Sequence, residues 1–152
     1  MIRVASFDHL IALRDLYPKT ASDKHKVINA TLKAFRESGF SNKLRHVLAI
    51  MEIEAWFLAE SNLFSRISRH LTADFIKQKL GLDLVNDDPE LYKHPAKEMG
   101  RIYRLIDKKY RKSEKQIRAI SSKLDYDDLC LCAPKISSFF YLLKCIDECA
   151  AL

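Results

Sequence analysis

The stretch LRHVLAIMEI at residues 44–53 decides the fold, because it is almost continuously apolar over the length of one buried strand. A second such run, FDHLIALRDL, occupies residues 7–16 and ends in charged side chains. Between the two runs, Ser22 and Asp23 offer a helix N-cap, and Gly39 is placed to end that helix. A strand, a helix and a second strand in this order predict a βαβ unit with two parallel strands.

The sequence after this unit carries the start and stop signals of helices. Thr72, for example, is placed to cap a helix that Gly81 ends. We therefore predict the α/β class, with a small parallel sheet and a mostly helical C-terminal half. The chain is predicted to form one domain over residues 1–152, with a βαβ core at 1–60 and a helical part at 61–152.

Two strands alone bury little surface and leave both edges of the sheet open. We therefore expect a third strand to complete the sheet. Its predicted source is residues 1–5, a second copy of the chain in a homo-oligomer, or a segment missing upstream of Met1.

The composition is that of an ordinary globular protein. The chain is 48% hydrophobic and 30% charged, which excludes a disordered tail, and three glycines are too few for an all-β fold with many tight turns. No apolar run approaches the roughly 18 residues of a membrane-spanning helix, and the N-terminus lacks the apolar stretch of a secretory signal. We expect a cytoplasmic protein whose four cysteines are reduced.

Positive charge is concentrated in residues 96–124, which hold ten basic and three acidic side chains. Steps of about 100° per residue predict one helix through this segment, with an apolar stripe on one side and cations on the other. The predicted cationic face consists of Lys97, Arg101, Arg104, Lys108, Arg111, Lys112, Lys115 and Arg118. A break near Lys112 would divide this face into two patches. The face predicts a nucleic acid or another polyanion as partner, with a solvated helix surface as the alternative.

Three carboxylates are predicted to gather at one edge of the sheet. Asp15 ends the first predicted strand, and Glu52 and Glu54 lie at the end of the second. Ligands bind outside the carboxyl ends of parallel strands, and converging carboxylates suit Mg²⁺. If both glutamates are in strand conformation, their side chains point to the same side. The structural alternative is that Glu54 begins the next helix and Asp15 pairs with a basic residue.

The segment around these glutamates, Glu52-Ile53-Glu54-Ala55-Trp56-Phe57-Leu58-Ala59, resembles the E-x-E-A-W-x-L-A signature of a toprim-related bacterial family known as domain of unknown function 4276. Four further pieces occur in the family's order. One lies upstream, ALRD at 12–15, and three lie downstream, HPAK at 94–97, YRKS at 110–113 and SF at 138–139. The resemblance covers about residues 7–148.

This resemblance implies a toprim-like core that binds Mg²⁺ and processes nucleic acid by nuclease-type phosphodiester chemistry, with a role in phage defence. The residues that it assigns to catalysis and to the metal are Asp15, Glu52 and Glu54, and those that it places nearest the phosphates are Lys97, Tyr110 and Lys112.

The toprim pattern also contains a D-x-D motif and a glutamate that follows an earlier strand. Here the D-x-D position reads Asp15-Leu16-Tyr17, so its second acid is absent. We expect the strand that carries the first glutamate to be missing at the N-terminus. The alternative function is a non-catalytic nucleic-acid-binding or protein-interaction module on a degenerate toprim-like scaffold.

Overall fold

A computed structural model describes residues 8–16, 18–19, 21–37 and 44–150 of the chain. Within these ranges it contains two strands, β1 (Leu10–Asp15) and β2 (Leu44–Ala49), and eight α-helices. The helices are α1 (Lys24–Glu37), α2 (Glu54–Ala59), α3 (Leu63–Ile67), α4 (Ala73–Leu80), α5 (Pro95–Arg104), α6 (Glu114–Ser121), α7 (Tyr126–Cys132) and α8 (Ser137–Ala150). Short 3₁₀ helices span Ala21–Asp23, Pro89–Leu91 and Ala133–Lys135. The predicted α/β class with a mostly helical C-terminal half is confirmed.

The two strands pair in parallel, with Leu10 opposite Leu44 and Asp15 opposite Ala49. Because the strands run in the same direction, both end at one edge of the sheet, as predicted. The third strand predicted at residues 1–5 lies outside the described residues, as does the helix stop predicted at Gly39.

β2 is shorter than the strand predicted over residues 44–53, because the backbone turns after its last residue. Met51 adopts the left-handed conformation with φ of 62°, which is incompatible with a strand. Glu52 therefore lies in a turn, and Glu54 is the first residue of α2. The same-side geometry expected for two strand residues does not apply to this pair.

Neighbouring residues of β2 bury their side chains on opposite faces of the sheet. On one face Leu48 packs with Val27 of α1, and on the other face Ala49 packs with Trp56 of α2. β1 is less covered than β2, since its Leu13 is 42% exposed. The sheet is therefore held between helices chiefly at β2.

The unbroken helix predicted through residues 96–124 is wrong, and the break considered near Lys112 is present. α5 ends before residues 105–113, which have no regular helix, and α6 follows them. Asp107 and Lys112 adopt φ of 54° and 51°, and these left-handed residues interrupt the helical backbone. The apolar residues before, within and after the break still pack on one core with α2, α3 and α4. The predicted cations therefore project from two helices and the segment between them.

In the ranges given above, no single helix is long and apolar enough to span a membrane. The helix pair Tyr126–Lys135 and Ser137–Ala150 reaches that length and composition together, but it is bent by 119°.

A buried hydrogen-bond network joins the sheet to α8. Ser138 Oγ accepts hydrogen bonds from the Trp56 indole N–H at 2.9 Å and from the Ile50 N–H at 3.4 Å. The same hydroxyl donates to the buried carboxylate of Glu90. This carboxylate also accepts from the Ser138 N–H at 3.1 Å and from the Ser137 hydroxyl at 2.9 Å. The network holds both sides of the turn between β2 and α2, and it therefore fixes the position of that turn.

We expect Ser138→Ala to lower the free energy of unfolding by about 2–3 kcal/mol, because it leaves the Glu90 carboxylate and the Trp56 N–H short of buried partners. The matched control is Ser137→Ala, which removes one hydrogen bond from the same carboxylate at an exposed position and should cost about 1 kcal/mol. Urea unfolding followed by the fluorescence of Trp56, the only tryptophan, measures both variants. Equal losses would contradict the role assigned to Ser138.

Candidate functional site

Three carboxylates lie together at the carboxyl edge of the sheet, and we call this group, Asp15, Glu52 and Glu54, the acid edge. Asp15 ends β1, and its Oδ1 accepts a hydrogen bond from the Ile53 N–H at 2.9 Å. That bond fixes the turn that carries Glu52 and leads into α2. Glu52 is 8% exposed and Glu54 is 1% exposed. Two buried carboxylates in one place need compensating partners, because an unpaired buried charge is costly.

Lys112 supplies the positive charge at this site. Its ammonium lies 3.1 Å from Glu52 Oε1 and 3.0 Å from Glu54 Oε1, so that it bridges the two glutamates. Burial alone would lower the pKa of Lys112, but the hydrogen bonds to Glu54 and Glu52 outweigh burial and raise this pKa. The lysine is therefore held in its charged form, although its side chain remains 43% exposed.

Tyr110 is the second partner of Glu54. Its hydroxyl donates to Glu54 Oε1 at 2.7 Å, and its ring packs against Tyr103 with centroids 5.6 Å apart. Burial and the hydrogen bond to Glu54 raise the pKa of Tyr110, which remains a neutral donor. Both donors reach the same oxygen of Glu54. The other oxygen, Oε2, is buried and has no hydrogen-bond partner within the described residues.

The N-terminus of α5 contacts Glu52. The Ala96 N–H donates to Glu52 Oε2 at 2.9 Å, one residue after Pro95 begins the helix. A carboxylate is favoured here because the first N–H groups of a helix have no partner within the helix and carry partial positive charge. Glu52 is thus oriented through both of its oxygens, by Ala96 and by Lys112.

The acid edge carries more negative than positive charge. In the part of the chain that the structure describes, Lys112 is the only basic residue that forms an ion pair with these carboxylates. Burial raises the pKa of Asp15, and the charges of Glu54 and Glu52 raise it further, against the opposing effects of the Ile53 N–H and Lys112. Asp15 therefore binds a proton more readily than an ordinary aspartate, a property that suits proton transfer.

The residues predicted to bind nucleic acid fall into separate groups. Tyr110 and Lys112 contact the acid edge directly. Lys97 and Arg111 are exposed, and each is the chain neighbour of a residue that donates to Glu52. Arg101 is engaged elsewhere, because its guanidinium pairs with Glu98 and donates to a backbone carbonyl.

The remaining predicted cations have no contact with the acid edge. Arg104 is exposed at the end of α5, and Lys108 is exposed soon after it. Lys115 and Arg118 are exposed on α6, where Arg118 pairs with Glu114 at 2.9 Å. The eight predicted cations therefore do not form one continuous surface.

The sequence predicted that the three carboxylates lie at one edge of the sheet, but it did not predict two of the groups that orient them. The N–H groups of Ile53 and Ala96 are backbone donors, which no side-chain pattern reveals. Pro95 is the signal that could have pointed to Ala96, because a proline often marks the first turn of a helix, where N–H groups are unpaired.

No group of three or more His, Cys, Asp or Glu side chains in the described ranges is placed to bind one metal ion. Mg²⁺ nevertheless commonly uses only one or two protein carboxylates, with water and substrate phosphate completing its shell. Glu52 and Glu54 form such a pair, and the buried Oε2 of Glu54 lacks a partner. The donor set therefore fits Mg²⁺, with Lys112 as the competing cation.

No protein-family model, curated protein or solved structure matches this chain. The resemblance to the toprim-related family stays a prediction.

We expect Asp15→Asn to stabilise the metal-free protein near neutral pH, by an amount that shrinks as the pH falls. The folded-state pKa of Asp15 is raised, so ionised Asp15 costs stability above that pKa. The cost vanishes below the ordinary value of 3.8, where the carboxyl group is neutral in both states. Asparagine keeps an oxygen that can accept from the Ile53 N–H. Urea unfolding in EDTA from about pH 3.5 to about pH 7.5 measures this difference. A gain that does not change with pH would show that the charge of Asp15 is not the cause.

Proposed function

We propose that this chain is a toprim-like, Mg²⁺-dependent nucleic-acid-processing protein that hydrolyses phosphodiester bonds at the acid edge. The observation that carries the proposal is the Glu54 carboxylate, which is 1% exposed and whose Oε2 has no partner among the described residues. A buried anionic oxygen is costly unless a cation or a donor satisfies it. Oxygen ligands of this kind are the ones that Mg²⁺ prefers.

Glu52 and Glu54 are the residues that would hold the ion. When bound, Mg²⁺ supplies an activated water and neutralises charge on the phosphate. The Ala96 N–H and the Tyr110 hydroxyl orient the two glutamates, so that their carboxylates do not depend on solvent for their positions. Asp15 has a raised pKa at the same edge and is suited to accept a proton there.

The exposed cations beside this edge would contact the phosphate backbone. Lys97 lies in the first turn of α5 next to Ala96, and Arg111 lies next to Lys112. Both side chains are exposed, and each is next in the chain to a residue that donates to Glu52. Neutralisation of phosphates by such residues releases counterions, so binding weakens as salt rises.

A non-catalytic nucleic-acid-binding or protein-interaction module is the second candidate. Lys112 is the observation that favours it, because a lysine between two buried glutamates balances much of their charge without a metal. The two candidates differ in their response to Mg²⁺, which only the first requires.

We expect Mg²⁺ to raise the melting temperature of the protein, and Glu52→Gln and Glu54→Gln each to abolish this rise. Free Mg²⁺ at a hundred times its dissociation constant would contribute about 2.7 kcal/mol to stability. Glu60→Gln is the matched control, because Glu60 is also buried but pairs with Arg66 instead of Lys112. Differential scanning fluorimetry with and without Mg²⁺ measures the response.

Cleavage of single- and double-stranded DNA and RNA should likewise be abolished in Glu52→Gln and Glu54→Gln and retained in Glu60→Gln. Retained cleavage in both glutamine variants would exclude the acid edge as the catalytic site. If the unaltered protein shows neither a Mg²⁺-dependent rise nor cleavage, the enzyme proposal is overturned and the non-catalytic module becomes the leading candidate.

The double variant Lys97→Ala with Arg111→Ala should bind nucleic acid more weakly. Its slope of log affinity against log salt should flatten by about two, because two phosphate contacts are lost. Arg118→Ala serves as the control, since Arg118 is already paired with Glu114 on α6. Fluorescence anisotropy of a labelled oligonucleotide in EDTA over a salt series gives both slopes. An unchanged slope in the double variant would remove these two residues from the interface.

A further inference from the structure

Lys112 occupies the oxygens of the acid edge that face it. Its ammonium lies within 3.1 Å of one oxygen from each of two buried glutamates. A divalent cation that used those oxygens would be repelled by the ammonium at contact distance. The unpartnered Oε2 of Glu54 offers a place for a cation, but the ligand pair is complete only when Lys112 has moved.

The backbone around Lys112 is fixed, whereas its side chain is accessible. The Arg111 N–H donates to the side chain of Gln116 at 2.7 Å, and Gln116 donates in turn to the Lys109 carbonyl at 2.9 Å. Tyr110 is anchored on Glu54. The Lys112 side chain is 43% exposed, so rotation about its own bonds is enough to carry the ammonium into solvent.

We propose that Lys112 is an exchangeable internal cation, which rests on the proposed function of the acid edge. In the absence of metal it neutralises Glu52 and Glu54. When Mg²⁺ binds the same oxygens, the ammonium leaves and becomes available to a phosphate of the nucleic acid. Metal binding and phosphate binding are then coupled through one side chain, and by linkage each increases the affinity for the other.

The first test follows the reactivity of lysine side chains in the unaltered protein. A brief pulse of an amine-acetylating reagent, read by mass spectrometry of peptides, reports how accessible each ammonium is. Saturation with Mg²⁺ alone should increase acetylation of Lys112 clearly, because its amine is no longer held between two carboxylates. Lys115, which is exposed on α6, serves as the internal control and should not change.

The second test measures Mg²⁺ binding by calorimetry. Lys112→Met removes the competing cation and should bind Mg²⁺ about tenfold more tightly than the unaltered chain. Lys115→Met keeps Lys112 in place and should bind Mg²⁺ with unchanged affinity. If Lys112→Met fails to fold without metal, the acetylation experiment on the unaltered protein still decides the matter.

The outcomes separate this inference from the function on which it rests. Mg²⁺ binding together with increased acetylation of Lys112 supports the exchange. Mg²⁺ binding with constant acetylation of Lys112 overturns the exchange and leaves the metal site intact. Absence of Mg²⁺ binding overturns both.

Discussion

The burial of Glu54 is the constraint on which the arrangement of the chain depends. Its carboxylate is 1% exposed at the start of α2, beside a second buried glutamate. Transfer of such charges out of water is repaid only by close partners. These partners come from distant parts of the chain, since Tyr110 and Lys112 satisfy Glu54 and the N-terminus of α5 satisfies Glu52. The acid edge therefore joins the βαβ unit to the helices that follow it.

This constraint also gives a physical reason for the break between α5 and α6. In a helix, residues two positions apart diverge by about 200°, so Tyr110 and Lys112 could not both reach one oxygen of Glu54. In a segment without helical backbone they can, and both do so at 3.0 Å or less. The apolar pattern nevertheless continues across the break, because Ile106 and Tyr110 within it pack on the same core as Ile102 and Ile117.

The features that followed from the sequence are those set by strong local patterns. Two apolar runs predicted parallel strands, and the rule that ligands bind at the carboxyl ends of such strands placed Asp15 beside the glutamates. The unbroken basic helix failed for the opposite reason. Its periodicity was correct, but no glycine or proline marks the left-handed turns at Asp107 and Lys112. At Lys112 the turn accompanies a contact with Glu54, more than fifty positions away, and a local pattern cannot reveal such a contact.

The same distinction between a local pattern and distant contacts applies to the basic residues. A stripe of eight cations would suggest affinity for any polyanion, whereas the folded chain turns one of these cations inward onto two carboxylates. The lysine offsets part of the buried negative charge without the proposed metal. Under the proposed function, Mg²⁺ would have to compete with the contacts of the lysine that it replaces. Lys112 is exposed enough to be displaced, whereas Glu54 is too deeply buried to be left unpaired. Because of this difference in burial, the proposed exchange is assigned to the lysine rather than to either glutamate.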